Sequence, residues 1–426
     1  MSWEVEVIAD SDSRWKWGET LARRLAPDAG TTVHATLLLG RSCPTDQQLR
    51  DVGGRADTLH RLSMTDAVNR IATSRAQVVV LACIGGSVQS LLYALSRAWQ
   101  GRTNRPVVVT GYVGLVYERV VDGLVSRAGS DVVLANSAND ADRFRAIYAD
   151  LGADPDSVVQ TALPFLGGAP YDPTAAGRDR PFTLTFVSQP GVPETKVQRR
   201  FVVRQAAEHA RRHPERSVIM KLRGRVGERT THVEPYHYSS LVPARELPAN
   251  LEFAYGAMSP VLDRTDLCVT VSSTAAIEAM HRGIPTGILT DFGIRESLGN
   301  QLFLGSGAFT SWRALHEGAV PRPREEWMAR NGVHDPAPYT AASARVAQLV
   351  EQGASLPPLR PWLDLADAGG YLPDLLARYG VGVDGSAVHD PGPPPFARRA
   401  ARAVARRAYG VGVRVLEPRI KRMAQL

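Results

Sequence analysis

The side chains best suited to chemistry gather at 266–289, DLCVTVSSTAAIEAMHRGIPTGIL. An apolar run ends in Ser272, Ser273 and Thr274. A helix-period stretch follows, closed by Gly283, and Pro285 opens the next apolar run. Hydroxyls and unbonded backbone N–H groups at a helix start, on the carboxyl edge of a parallel sheet, form an anion site. The plainer alternative is that Ser273 or Thr274 only caps the helix. Glu278 does not fit a capping box, because the cap three residues earlier would be Ala275. It is spaced either to pair with Arg282 at i,i+4 or to face a ligand. A second cluster, Lys221, Arg223 and Arg225 around Gly224, ends the run SVIMK. Cations beside a strand end can neutralise a diphosphate, arginine doing so bidentately. A solvated basic turn is the alternative, and Lys221 and Arg223 are the stronger choices.

These residues need a scaffold that brings strand ends together. Residues 1–165 alternate apolar β-branched runs (5–10, 31–39, 77–83, 105–111, 131–137) with helix-period stretches, the pattern of a parallel sheet buried on both faces. Residues 166–181, rich in Pro and Gly and without periodicity, read as a linker. A second α/β set occupies 182–355, with strands expected at 182–189, from 217, at 266–271 and from 284. The expected architecture is two Rossmann-like domains with a cleft between them. Residues 356–395 are Pro/Gly-punctuated and read as loosely structured, and 396–426 read as a basic helical tail.

SSTAAIEAMHRGIP resembles the donor-site segment of GT-B glycosyltransferases and their relatives, the sugar-nucleotide epimerases and capsule-type transferases. The two-Rossmann layout extends the resemblance over roughly residues 1–350, and it also suits the glycosyltransferases of unassigned specificity common in actinobacteria. It implies that Ser272, Ser273 and Thr274 bind nucleotide phosphates and that Glu278 holds ribose hydroxyls. Ser188 and Gln189, ending the first strand of the second half, would also contact donor phosphate. Arg223 and Gly224 stand where sialyl- and capsule transferases of this fold carry His-Pro. The implied reaction moves a sugar from a nucleotide-activated donor to a glycan or lipid-linked acceptor in envelope or polysaccharide synthesis, with no metal and no cofactor. An epimerase of the same fold and a non-catalytic envelope scaffold are the alternatives.

The acceptor would meet the first half. The loop after the first strand, 10–18, carries Asp10, Asp12, Trp15 and Trp17. Aromatic faces stack on sugar rings, and a carboxylate can remove a hydroxyl proton, so Asp10 or Asp12 is the expected base. N-capping carboxylates and core tryptophans are the alternatives. Gly85, Gly86 and Tyr112 lie at two further strand ends where a ligand could approach the backbone. His60, His232 and His237 have no metal-ligand spacing and read as structural or surface residues.

Composition narrows the class. With 44% hydrophobic and 22% charged residues the chain is globular. Three cysteines without metal or disulfide spacing suit a reducing cytoplasm, and no apolar run approaches the roughly 20 residues of a spanning helix. The net charge of +7 is concentrated: 396–426 hold nine basic residues and one acid, which leaves the body at −1. That localisation argues against a nucleic-acid partner. On a helical wheel, FARRAARAVARRAY sets five arginines opposite an alanine/valine face. This pattern points to an anionic membrane surface at the inner face, worth about 1 kcal/mol per basic residue.

Overall fold

The structure, a computed structural model, describes residues 2–26, 30–40, 42–116, 119–189, 191–226 and 236–388. Seven parallel strands form the first sheet: β1 (Glu4–Ala9), β2 (Thr32–Leu38), β3 (Thr58–Leu62), β4 (Val78–Ala82), β5 (Val107–Gly111), β6 (Val132–Ala135) and β7 (Val158–Gln160). Their order is β3-β2-β1-β4-β5-β6-β7. Six form the second: β8 (Thr183–Val187), β9 (Ser217–Lys221), β10 (Leu251–Ala254), β11 (Leu267–Thr270), β12 (Thr286–Leu289) and β13 (Phe309–Thr310), in the order β10-β9-β8-β11-β12-β13. β4 (VVVLA) and β5 (VVVTG) are buried along their whole length, as strands covered by helices on both faces must be.

Each sheet reverses its strand order once, between β1 and β4 and between β8 and β11. In open parallel sheets the crevice at such a switch point is where ligands bind. The helix Asp12–Leu25 lies directly over the first switch point. A Cβ on its Gly18 would sit 2.6 Å from Val7 Cγ1 and 2.8 Å from the Ala82 methyl. Glycine is what lets this helix pack so close to the sheet.

The short strands β3, β7, β10 and β13 were not legible as apolar runs. β3, TLHRL, is an exposed edge strand whose register follows its pairing with β2, not its own hydrophobicity. The chain also returns to the first half earlier than expected. The boundary expected at 355 is corrected by the helix Thr340–Gln352, which packs against β7 and the helix Asp12–Leu25. Ala342, Val346 and Leu349, at helical spacing, join the first-half core with Tyr339 and Leu356. The expectation of a loose 356–395 is corrected as far as Val388. Arg105 Nε donates to the Pro357 carbonyl at 2.8 Å, and Leu372, Leu375, Leu376 and Val381 pack beneath the helix Gly85–Ala98. A prolines-and-glycines criterion overlooks this, because short helices between the breaks suffice to bury leucines. The basic tail at 396–426 and His232 lie outside the described residues. Among the described residues, no helix is long and apolar enough to cross a membrane.

Candidate active site

The second half's switch point is held by side chains. Gln189, following β8, donates from Nε2 to Ser272 Oγ at 2.8 Å and accepts from the Ser272 N–H at 2.8 Å, tying the β8 and β11 loops together. Ser272 Oγ in turn donates to the Leu298 carbonyl. Ser273 Oγ accepts from the Ala275 N–H at 3.3 Å, so this hydroxyl does the local capping. Thr274 stands at the cap position of the helix Ala275–His281 without a side-chain cap bond. Its hydroxyl reaches the other half: a Cβ on Gly114 would lie 3.0 Å from Thr274 Oγ1. Ser188 backbone N–H bonds to the Lys221 carbonyl, fixing the β8 end against β9.

Charge is set within this frame. Lys221, the last residue of β9, is 5% exposed and donates to the Leu222 carbonyl at 2.8 Å. Burial and the neighbouring Arg223 push its ammonium down to about 8, while Glu278 works in the opposite direction. Glu278 is raised by burial, against the pull of Lys16, Arg282 and Lys221. The i,i+4 partner expected for it is engaged elsewhere. Arg282 bonds to Asp263 at 2.7 Å, to Gly167 and to Ser259. The Glu278 side chain has no hydrogen bond or ion pair among the described residues and lines the cleft, so its carboxylate is uncommitted. His237 Nε2 lies 2.9 Å from the Gly224 carbonyl and braces the KLRGR turn, the structural one of the two roles, structural or surface, expected of it.

The first half's switch point is organised differently. Asp10 Oδ2 accepts from the Ile84 N–H at 3.0 Å and Oδ1 accepts from Arg14 at 2.9 Å. Both oxygens are thus spent, one joining the β1 loop to the helix after β4 and the other holding the first turn of the helix Asp12–Leu25. Asp12 lines the cleft, 26% exposed, with Arg223 Nη2 3.6 Å from its Oδ1. Trp15 and Trp17, expected as stacking platforms, are each 1% exposed inside the first-half core, where their ring faces are taken by neighbouring side chains. Their helix turns them inward, and this corrects the expectation that they meet a sugar. Gly85 lines the cleft, whereas Gly86 faces away, where a Cβ would meet the Tyr379 hydroxyl at 2.8 Å. Tyr112 borders the cleft with its ring 4.1 Å from the Arg127 guanidinium, which bonds to the carbonyls of Gly111 and Gly123.

One cavity of about 1660 Å³ joins the two walls. Asp12, Gly85, Tyr112, Ser188, Gln189, Lys221, Arg223, Ser272, Ser273, Thr274 and Glu278 all line it, while Asp10, Trp15, Trp17 and Gly86 do not. Sequence reasoning missed Lys16, which lines the cavity and sits 5.4 Å from the Phe165 ring. The chain keeps only four lysines among 50 basic residues, and two of them, Lys16 and Lys221, border this cleft. That rarity was the available signal. It also missed Tyr255, beyond β10, over whose ring Arg225 stacks at 4.7 Å, because β10 itself was not read. Among the described residues, no group of three His, Cys, Asp or Glu side chains is arranged to hold a metal ion.

Two doubly wound parallel sheets, with switch points that meet across a single cleft, define the GT-B architecture. The chain belongs to the family described as "Putative glycosyltransferase (DUF6716)", whose profile matches residues 5–349, and this membership places it among the glycosyltransferases. Solved structures with the same layout include the UDP-GlcNAc 2-epimerase from Methanocaldococcus jannaschii, with a TM-score of 0.51 at 11% identity over 82% of this chain and 100% of that one. S. aureus MnaA in complex with UDP has a TM-score of 0.50 at 10% identity, over 82% of this chain and 96% of that one. Arabidopsis thaliana UGT89C1 complexed with UDP-L-rhamnose has a TM-score of 0.47 at 10% identity, over 89% and 99%. At these identities the likeness is one of fold. No curated protein matches the chain by sequence.

Proposed function

We propose that the protein transfers a sugar from a nucleoside-diphosphate donor, bound on the second half, to a glycan or lipid-linked acceptor bound on the first. The observation that carries this reading is the uncommitted Glu278 carboxylate beside Lys221 and the Ser272–Thr274 turn, all on one wall of the cleft. Lys221, Arg223 and the turn hydroxyls suit the diphosphate, Glu278 suits ribose hydroxyls, and the Arg225–Tyr255 pair offers a flat face to the base. The acceptor oxygen attacks the anomeric carbon, the bond to the diphosphate breaks, and Asp12 takes the acceptor's proton. Cationic neutralisation of the leaving phosphate by Lys221 and Arg223 makes the reaction metal-independent. Asp10 acts as the brace of the first wall. The basic tail at 396–426 supplies an address at an anionic membrane surface, in keeping with a role in envelope or polysaccharide synthesis.

A thermal-shift series with UDP-, GDP-, dTDP- and CDP-sugars tests the reading. One nucleotide should raise the melting temperature by mass action. If none does, the donor site falls and a scaffold role gains. A nucleotide-sugar converted to its epimer in the absence of acceptor would replace transfer by epimerisation.

A further inference from the structure

The cleft contains a contact that joins the two walls through one arginine. From the second half, Arg223 Nη2 donates to Ser13 Oγ at 2.9 Å and lies 3.6 Å from Asp12 Oδ1. Both partners belong to the first turn of the helix Asp12–Leu25, on the opposite wall. A guanidinium has two bidentate forks, Nε with Nη2 and Nη1 with Nη2, and Nη2 supplies one N–H to each. With one Nη2 N–H given to Ser13 and Asp12 on the same side, one of the two forks is closed to a phosphate. The same contact places a cation where an acceptor hydroxyl must approach the Asp12 carboxylate.

We propose that Arg223 is an exchange residue, shared between the acceptor wall and the donor's diphosphate. The proposal rests on the transfer reading. The diphosphate draws Arg223 off Ser13 and Asp12 and takes its fork. Asp12 is then clear to receive an acceptor hydroxyl, so donor binding precedes acceptor binding. Arg223 thereby acts as a positioning residue for Asp12 as well as a ligand for phosphate. No bond is made or broken in the exchange; one set of hydrogen bonds replaces another.

The competition can be measured by calorimetric titration of UDP, GDP, dTDP and CDP into wild type, Ser13→Ala, Asp12→Asn, Arg223→Met and the double variants carrying Arg223→Met. Removing a competitor for a half-exposed arginine should tighten the best-binding nucleotide by about two- to fivefold in Ser13→Ala and in Asp12→Asn. In the Arg223→Met background both substitutions should leave affinity unchanged. Ser13→Ala changes no charge, so its effect separates exchange from a simple loss of negative potential in the cleft. Weaker or unchanged binding in the two single variants overturns the exchange, as does tightening that persists without Arg223. In those outcomes wild type still binds nucleotide and the transfer reading stands. If none of the four nucleotides binds wild type, the transfer reading and the exchange fall together.

Discussion

The two switch points have the same topology but are built in different ways. In the second half, Gln189 and Ser272 lock the loops to each other, and the charged groups around them, Lys221 and Glu278, line the cleft without serving as that lock. In the first half a charged group does the locking: Asp10 spends both oxygens on Ile84 and Arg14, and the tryptophans beside it are core. Neutral side chains serve as struts on one wall and a carboxylate on the other. A strut that is already ionised has little left to offer a substrate, and so the second wall is the one proposed here as the preorganised donor site. The first wall is left with Asp12 as its available carboxylate near the switch point.

The largest test of this contrast lies in the adjacent carboxylates. Asp12→Asn should lower kcat by about 10²- to 10⁴-fold while nucleotide binding is retained. Asp10→Asn should instead cost about 1–3 kcal/mol of stability in denaturant unfolding, as the amide keeps one acceptor oxygen and leaves either the Ile84 N–H or Arg14 without its partner. If Asp10→Asn keeps its stability but loses turnover, the assignment of brace and base is reversed.

On the donor wall, Lys221→Met should weaken the binding nucleotide about 10- to 100-fold, the worth of charge-assisted bonds to a phosphate. Because burial holds Lys221 down to about 8, its charge is present below that pH and lost above it. Nucleotide affinity should therefore be level below pH 8 and fall as pH rises through it. The variant should bind weakly with no such break; a break retained in Lys221→Met would assign the titration to another group.

The halves should also differ in acid, by a smaller margin. His209, in the helix Lys196–Arg212, is fully buried, and neither ring nitrogen has a partner. Burial, with the charges of His213, Arg216 and His316, pushes it down to about 3. An unfolded imidazole titrates near 6.5, so below that pH the unfolded chain gains a proton that the folded half refuses. Stability is lost as pH falls, by about 2 kcal/mol at pH 5. In the first half, burial raises Glu6, which favours the folded state as pH falls. Hydrogen exchange at pH 5 should open β8–β12 before β1–β6, and His209→Phe should abolish the difference. Equal opening of both halves would contradict it.

How far these walls could be read in advance follows from their chemistry. Long Val-rich strands and the β11–helix–β12 unit carry their periodicity in their own residues, so the two sheets and the Ser272–Thr274 turn were legible. β3 and β10 are defined by their partners, and the aromatic loop beyond β10 went unseen with its strand. The direction of a side chain within a recognised loop was the other gap. Asp10 and Asp12, two residues apart, differ in role because the helix start at Asp12 turns one toward Ile84 and the other toward Arg223. Trp15 and Trp17 are turned to the core by that same helix, and no spacing rule for the loop 10–18 announced where it began.

The central claim is that the second wall binds the donor through an uncommitted Glu278. Titrating wild type and Glu278→Ala with the nucleotide that binds, alongside its 2′-deoxy or 3′-deoxy analogues, tests it most directly. The account predicts that Glu278→Ala loses about tenfold in affinity for the ribonucleotide, the worth of a bond to a charged group. At least one deoxy analogue should bind wild type and the variant alike. Equal affinity of wild type and Glu278→Ala for the ribonucleotide would contradict it.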